Sequence, residues 1–367
     1  MARTVGIGII GFGGFAMFAA QQFAQVPGIE LRAIASTNRE GAIKAAHRFG
    51  LKDVKEIEAL LALPEIDLVY IATPPFLHHA QALQALRAGT HVIVENPLAL
   101  TNAEADELIV LAREKKRLMT TNLMQRYNPL YGQISQLIKS QLLGNVLHGY
   151  FENYACDEGL GSEHWFWDPK KSGGIFIEHG VHFFDMFAGW LGKGQVTSAG
   201  RVLRPGSAIE EQVFCTARYG DVPVNFYHGF TQAGRMDRQE MRLLFERGDV
   251  TLQEWVPTKA VIRTALDEQS TKALGEIFPH ARIDVESLYA DGERSLSARH
   301  KKYEAYQKIT LTSAPSIKMT LYGDLLRNMI EDQTSYLADN AHRRTIDEEN
   351  GRESLRMSVE ATRLALS

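Results

Sequence analysis

Short apolar runs alternate with segments of helical periodicity through the first third of the chain. Apolar runs of this kind between turns are typical of strands that are buried on both faces. The first begins at Val5 and ends in a cluster of glycines. Further strands are predicted at Leu31–Ala35, Leu68–Ala72, His91–Glu95 and Leu118–Asn122.

Helical segments separate these predicted strands. Glu40–Phe49 and His79–Ala88 are each followed by a glycine, which commonly ends a helix. A third helix is predicted to begin after Thr101, because Thr101 and Glu104 have the spacing of a capping box. Alternating strands and helices predict an α/β domain with a doubly wound parallel sheet and helices on both faces. Ligands of such sheets bind at the carboxyl ends of the strands.

The pattern changes after about Leu123. A predicted helix at Pro129–Gln141 is followed by extended segments, and tight turns such as Tyr219–Asp221 and Arg247–Asp249 indicate antiparallel hairpins. The extended segments and final helices lie at Leu147–Tyr154, Gln212–Tyr219, Val222–Phe230, Met241–Glu246, Val250–Trp255, Lys302–Thr312, Met319–Leu337 and Asn350–Ala365. We therefore predict a first domain of residues 1–122 and a second, α+β domain of residues 123–367, with C-terminal helices that can pack back on the first. Residues 257–315 give the weakest pattern.

Composition and charge exclude several classes of protein. The 367 residues carry a formal net charge of -4, which argues against nucleic acid as a partner, and this length favours two domains. Only two cysteines are present, Cys156 and Cys215, which indicates a reducing compartment. We find neither a signal peptide pattern nor an apolar run of about 18 residues that would cross a membrane. We therefore expect a cytoplasmic protein that acts on a small molecule.

A glycine-rich turn joins the first predicted strand to the helix after it. Its residues are Gly11, Phe12, Gly13, Gly14, Phe15 and Ala16. A sharp strand-to-helix turn needs a residue without Cβ at the bend, and a second where the backbone approaches a pyrophosphate. Gly11 and Gly13 occupy these places, and Ala16 allows close helix packing. Because a helix amino terminus presents unpaired N–H groups, this turn predicts a dinucleotide site.

The residues after the second strand bear on which dinucleotide binds. Proteins that select NAD carry an acidic residue about twenty positions past the glycines, where it binds the ribose hydroxyls and repels a 2′-phosphate. Here the segment is Ser36, Thr37, Asn38 and Arg39. Two hydroxyls and a guanidinium suit a phosphate. We predict that NADP(H) is preferred, with NAD(H) as the alternative.

Several ordered motifs together resemble the Gfo/Idh/MocA family of nicotinamide-dependent oxidoreductases. Besides the glycine turn they are Ile71–His78, Ala88–Pro97, Asn122–Pro129 and Gly173–Asp185. The resemblance implies a Rossmann-type first domain and a second domain with a large, mainly antiparallel, open-faced sheet. It also implies a homodimer or homotetramer paired through that face. The activity it implies is hydride transfer between nicotinamide and a sugar, polyol or related cyclic alcohol or carbonyl.

The resemblance also suggests roles for individual residues. The residues expected along the cofactor are Thr73, Pro74, His78, Glu95 and Asn122. His182 corresponds to the family histidine that often serves as general acid and base. Glu178 lies four residues earlier, on the same face of a helix, where it would orient His182 and raise its pKa. For His78 and for the Glu178–His182 pair, a purely structural role is the alternative.

One position departs from the family pattern. Asn96 stands where the family usually has lysine, between Glu95 and Pro97. Asparagine can donate a hydrogen bond to the reacting oxygen but cannot exchange a proton. Proton transfer would then depend on His182 or on an unidentified group. Helical acid and histidine neighbours also fit a metal site, but no further motif supports one, so we expect none.

Other residues are expected to line the substrate side of the cleft. They are Arg126, Tyr127, Trp165 and His179. An aromatic ring packs well on a sugar, although core packing explains aromatic residues equally well. Two alternatives to a sugar oxidoreductase stay open. Some relatives cleave glycosides with transient use of nicotinamide or reduce non-sugar substrates, and one regulatory relative binds cofactor without catalysis.

Overall fold

A computed structural model describes residues 4–54, 56–157, 159–288, 295–298, 301–305 and 307–367. Six parallel strands form the first sheet in the order β3-β2-β1-β4-β5-β6. They are β1 (Val5–Ile10), β2 (Ile29–Ala35), β3 (Lys52–Val54), β4 (Leu68–Ile71), β5 (His91–Val94) and β6 (Met119–Thr121). The parallel sheet is confirmed. Strand β3 is an addition that the apolar pattern did not predict.

Helices connect these strands and cover the sheet. They are α1 (Gly14–Phe23), α2 (Arg39–Phe49), α3 (Ile57–Leu61), α4 (His78–Arg87) and α5 (Asn102–Lys115). The capping box predicted at the start of α5 is present, since Thr101 and Glu104 bond reciprocally. The strand order reverses between β1 and β4, because β2 and β3 extend the sheet on one side and β4 to β6 on the other. A ligand crevice is expected at this point, where the glycine turn and Thr73 lie.

The second sheet has nine strands in the order β14-β17-β13-β12-β11-β7-β10-β9-β8. Its strands are β7 (Val146–Tyr154), β8 (Gly194–Leu203), β9 (Glu210–Tyr219), β10 (Val222–Gly229), β11 (Arg238–Phe245), β12 (Gly248–Gln253), β13 (Lys259–Leu266), β14 (Arg282–Ser287) and β17 (Gln307–Thr312). The sheet is antiparallel apart from one parallel pair, β7 with β10. The strand predicted at Lys302–Thr312 is two strands, because β16 (Lys301–Glu304) pairs instead with β15 (Ser295–Ala298).

Six further helices follow β6 along the chain, and several of them cover one face of the nine-stranded sheet. The six are α6 (Pro129–Ser140), α7 (Pro169–Ser172), α8 (Val181–Leu191), α9 (Glu268–Ile277), α10 (Lys318–Ala338) and α11 (Glu348–Leu366). Side chains of α6, α8 and α9 form one apolar core with the sheet. Leu325 and Met329 of α10 pack instead with Ile7 and Phe23 of the first domain. Within the described part of the chain, no helix combines the length and apolar character needed to cross a membrane.

Candidate active site

The glycine turn leaves open space over the amino terminus of α1. Gly11 has a φ of +86°, and a Cβ there would lie 2.5 Å from Cγ2 of Thr73, so only glycine fits. A Cβ at Gly13 or Gly14 would meet no heavy atom within 4 Å. Gly13 precedes the helix without a side-chain cap, so the first N–H groups of α1 face this space unpaired. These features fit the pyrophosphate of a dinucleotide.

The end of β2 forms the next wall of the cleft. Ser36, Thr37 and Asn38 line it. The Asn38 side chain caps α2 by accepting from the Gly41 N–H at 3.1 Å, and its amide donates to the Phe12 carbonyl at 3.3 Å, which ties this segment to the glycine turn. Phe12 itself is buried and contacts the cleft edge.

Charged groups of both signs lie near this wall. The Arg39 guanidinium donates to the Ser36 carbonyl at 3.3 Å. Glu56 and Glu58 also line this end of the cleft. The sequence pattern did not indicate them, because they belong to the short helix α3 and the residue before it.

Glu95 lies at the centre of the crevice, at the end of β5. Its carboxylate accepts hydrogen bonds from Tyr70 and from the Asn122 amide, the latter at 2.8 Å. Burial raises the pKa of Glu95 to about 8. Thr73 and Pro74 line the same part of the cleft. The predicted cofactor residues at the ends of β4, β5 and β6 therefore meet here, apart from His78.

His78 does not reach the cleft, so the expected contact of His78 with cofactor is corrected. Its side chain is fully buried. Nδ1 lies 2.7 Å from the Pro97 carbonyl oxygen, and Nε2 lies 2.7 Å from the Thr73 carbonyl oxygen. His78 therefore joins the two loops that carry Thr73 and Asn96, and it shapes the crevice from behind.

Asn96 and His182 face each other across the two domains. Asn96 Nδ2 lies 2.9 Å from His182 Nε2. In this arrangement the amide donates, so a neutral His182 carries its proton on Nδ1. Burial lowers the pKa of His182 to about 4. The expectation that Glu178 raises the pKa of His182 is therefore wrong, because loss of solvation of the charged ring has the larger effect.

Three polar atoms around this pair have no partner. They are Asn96 Oδ1, Asn122 Oδ1 and His182 Nδ1, and each is buried without a hydrogen bond among the described residues. Buried polar atoms are rarely left unpaired in folded proteins. Their clustering where the nicotinamide half of a dinucleotide would lie fits a site that bonds a polar ligand.

A π-helical turn, Phe176–Gly180, directly precedes α8. Glu178, His179 and His182 all line the cleft. An α-helix separates successive side chains by about 100°, but this turn is wider and presents Glu178 and His179 to the same cavity. Such π-turns are frequent at functional sites. Among the residues that the structure describes, no group of acids, histidines and cysteines could hold a metal ion.

Arg126 and Tyr127 lie outside the cleft, which corrects the expectation that they line the substrate side. Arg126 forms a bidentate ion pair with Asp185, with contacts of 2.7 and 2.8 Å, and only 2% of the Asp185 side chain is exposed. The Tyr127 hydroxyl donates to Asp332 at 2.6 Å. Both side chains are held by structural partners, so neither is available to a ligand.

The whole cleft has a volume of about 1240 Å³. Residues of the second domain and of α10 line its outer part. Trp165 lines it, as predicted from the sequence. Further lining residues were not predicted: Met124, Phe230, Gln239, Glu254, Trp255, Lys318 and Tyr322. Lys318 pairs with Glu254 at 2.7 Å. These residues belong to separate elements and form no motif, so no local signal could have identified them.

Comparisons with known proteins agree with this geometry. A family model described as an oxidoreductase family with an NAD-binding Rossmann fold matches residues 5–123, and a GFO/IDH/MocA C-terminal domain model matches residues 131–251. The chain is 28% identical to Oxidoreductase P35 of Formosa agariphila over 279 residues, which cover 73% of this chain and 85% of that protein. It is 32% identical to dTDP-3,4-didehydro-2,6-dideoxy-alpha-D-glucose 3-reductase of Actinomadura kijaniata over 146 residues, which cover 40% of this chain and 44% of the reductase.

A solved structure extends the similarity over nearly the whole chain. The WlbA dehydrogenase of Bordetella pertussis, in complex with NADH and UDP-GlcNAcA, has a TM-score of 0.78 and 18% sequence identity, over 99% of this chain and 96% of that chain. This likeness shows a common fold. The two family models together cover more than half of the chain, and the protein therefore belongs to the Gfo/Idh/MocA family of oxidoreductases.

Proposed function

We propose that this protein transfers a hydride between NADP(H) and a carbinol or carbonyl carbon of a sugar, polyol or related cyclic compound. One observation carries the proposal: a single cleft leads from the glycine turn to the Asn96–His182 pair. The name of the sugar reductase relative from Actinomadura kijaniata supports a carbohydrate-like substrate. Trp165 and Phe166 line the outer cleft, and aromatic faces pack well on sugar rings.

The chain's own residues account for the proton and the orientation of the substrate. A bound nicotinamide supplies or accepts the hydride. In the oxidation direction the substrate hydroxyl takes the place of the Asn96 amide at His182 Nε2, which accepts the hydroxyl proton, and in the reduction direction Nε2 returns that proton to the carbonyl oxygen. Asn96 donates a hydrogen bond to the same oxygen and replaces the hydrogen-bonding part of the usual lysine. Glu178 lines the same wall, but His182 Nδ1 makes no hydrogen bond among the described residues, so the orienting role of Glu178 stays a prediction.

A substrate panel tests this function. Protein with NADP⁺ is incubated with sugars, polyols and cyclic alcohols, and with NADPH and the matching carbonyls, while the absorbance of reduced nicotinamide is followed. Net formation or loss of reduced nicotinamide with an oxidised or reduced product supports the proposal. Cleavage of a glycoside without net absorbance change would replace it with nicotinamide-dependent glycosidase activity. Tight cofactor binding without turnover on the whole panel would favour a regulatory protein.

The low pKa of His182 predicts an unusual pH profile for alcohol oxidation. The neutral ring is the active base, and with a pKa of about 4 it stays neutral as the pH falls from 7 to 5.5. A histidine with the ordinary pKa would lose about eightfold in its neutral fraction over this range. We therefore expect kcat/KM of the cofactor-saturated enzyme to change by less than about twofold between pH 7 and pH 5.5. A fall of about eightfold would contradict the assignment.

Cofactor preference gives a second prediction. We expect NADP(H) to bind more tightly than NAD(H), because Ser36, Thr37 and Arg39 offer donors to a 2′-phosphate. Arg39→Ala should weaken NADP(H) binding by about tenfold or more and leave NAD(H) binding unchanged, since a hydrogen bond to a charged group contributes about 1.5–3 kcal/mol. Dissociation constants from fluorescence titration measure both effects.

The matched control for this prediction is Arg48→Ala, because Arg48 lies on the same helix α2 but at its opposite end. It should leave both dissociation constants unchanged. If NAD(H) binds the unmodified protein at least as tightly as NADP(H), the preference is wrong. An equal effect of Arg39→Ala on both cofactors would exclude a contact with the 2′-phosphate.

The open face of the nine-stranded sheet is the proposed subunit interface of a homodimer or homotetramer. Phe214 of β9 and Leu244 of β11 are 48% and 42% exposed on the side opposite the apolar core. Large apolar side chains on one uncovered sheet face are typical of association surfaces.

A further inference from the structure

Two histidines form a pair behind the wall of the cleft. His179 lines the cleft, and His228 lies deeper, on β10. Their Nδ1 atoms are 2.9 Å apart. His228 is fully buried, and His179 is the only hydrogen-bond partner of its side chain among the described residues, because its Nε2 is unpaired. His179 therefore faces the cleft, where a ligand can reach it, whereas the His228 side chain forms its hydrogen bond only with His179.

The surroundings of His228 are apolar. Its ring centroid lies 5.2 Å from that of Phe151, 5.9 Å from Phe176 and 5.8 Å from Phe183. Hydrophobic packing alone would favour an apolar side chain at this position, since an unpaired buried nitrogen is unfavourable. We therefore attribute the presence of an imidazole at this position to its one polar contact, the hydrogen bond with His179.

The protons of the pair can be counted. Burial, reinforced by nearby His182, lowers the pKa of His179 to about 3, and burial lowers the pKa of His228 well below its ordinary value. Both rings are neutral, so each carries one N–H, and one proton lies between the two Nδ1 atoms. If His179 donated it, the N–H of His228 would be Nε2–H, buried without an acceptor. If His228 donates this proton from Nδ1, its buried Nε2 carries only a lone pair, and no N–H group of His228 is left without an acceptor. The second arrangement is favoured, because orphaned buried N–H groups are the rarer kind.

We infer that His228 is a positioning residue that fixes His179 as the Nε2–H tautomer, so that His179 presents a hydrogen-bond donor to the substrate. This inference rests on the proposed function. His182 Nε2 is an acceptor, since it receives the Asn96 amide, whereas His179 Nε2 is a donor. The cleft wall thus carries an acceptor for the reacting hydroxyl proton and a donor for a second oxygen. The substrate class is therefore an alcohol with a second oxygen substituent, such as a diol or its hydroxyketone.

The tautomer of His179 is tested directly by NMR on the full chain. Protein labelled with ¹⁵N-histidine is compared with His179→Gln to assign the ring, and one-bond N–H couplings show which nitrogen is protonated. We expect His179 to be protonated at Nε2, and to become a mixture of tautomers in His228→Phe. Protonation of His179 at Nδ1 in the unmodified protein would overturn the inference. This measurement needs no substrate, so it stands apart from a failure of the proposed function.

Kinetics test the consequence for substrate. His228→Phe should raise KM for a diol about tenfold, with kcat and the dissociation constant for NADPH little changed, because one hydrogen bond of about 1.4 kcal/mol is lost. His228→Asn should restore KM, since its amide can donate from nearly the same place as Nδ1. For the matching deoxy substrate, which lacks the second hydroxyl, KM should be the same in the unmodified protein and in both variants. Equal defects in His228→Phe and His228→Asn, or a defect that persists on the deoxy substrate, would mean that His228 is only structural.

Discussion

Replacement of His182 by alanine is expected to lower kcat by ~10²–10⁴-fold, the usual contribution of a positioned acid or base. The effect is expected to be large because Asn96, the side chain that faces His182 Nε2 in the cleft, cannot titrate. Cofactor affinity should be unchanged, since the glycine turn lies at the other end of the cleft. Steady-state turnover with the substrate found in the panel measures the first effect, and fluorescence titration with NADPH measures the second.

A surface histidine provides the control for this variant. His79 lies at the start of α4, where its Nε2 is 2.9 Å from Glu107 and outside the residues that line the cleft. His79→Ala should leave kcat and NADPH affinity unchanged. Turnover of His182→Ala close to that of the unmodified protein would show that another group exchanges the proton, and the assignment of His182 would be wrong.

The features that could be predicted from sequence are those that nearby residues determine. Gly11 has a positive φ and contacts Thr73 closely, so a local backbone requirement leaves a visible glycine. The Thr101 capping box acts across one helical turn. Parallel strands buried on both faces give continuous apolar runs. These local signals were enough to predict five of the six strands of the first sheet and the place of the crevice.

The second sheet was less predictable, because its order depends on distant pairings. Strand β7 pairs in parallel with β10, although about 75 residues separate Gly149 from Val224 in the chain. Hairpin turns reveal only neighbours in sequence. Strands β8 and β14 were not predicted, since their exposure does not alternate regularly along the strand. Burial does alternate along β13, but Val261 is apolar on its less buried face and Thr264 is polar on its buried face, so the sequence pattern is weak there.

Many of the residues predicted from sequence line the cleft, but the partners of each side chain could not be predicted. Arg126 fits a substrate contact until its partner Asp185, 59 residues away, is placed beside it. His78 matches the family motif, yet its side chain faces two carbonyl oxygens behind the crevice. His182 lies in the cleft as expected, but burial lowers its pKa where the sequence suggested a rise. Side-chain partners and desolvation depend on the whole fold, so motifs alone cannot determine them.

Gly13→Val is expected to reduce affinity for NADPH by about 100-fold or more without unfolding the protein, since losing two hydrogen bonds to a charged phosphate costs at least about 3 kcal/mol. The backbone at Gly13 is extended, with φ of -98° and ψ of -171°, and a Cβ there meets no heavy atom within 4 Å. Valine therefore fits the fold, but its methyl groups would occupy the space over the first N–H groups of α1. Fluorescence titration and thermal melting without cofactor separate binding from stability.

A second glycine with equally open surroundings makes this experiment specific. Gly132 lies on α6, outside the residues that line the cleft, and a Cβ there also meets no heavy atom within 4 Å. Gly132→Val should bind NADPH like the unmodified protein. Gly11→Ala should lose both stability and binding, because its Cβ would clash with Thr73. Normal NADPH affinity in Gly13→Val would place the pyrophosphate elsewhere, and the proposed hydride transfer would lose the geometry on which it depends.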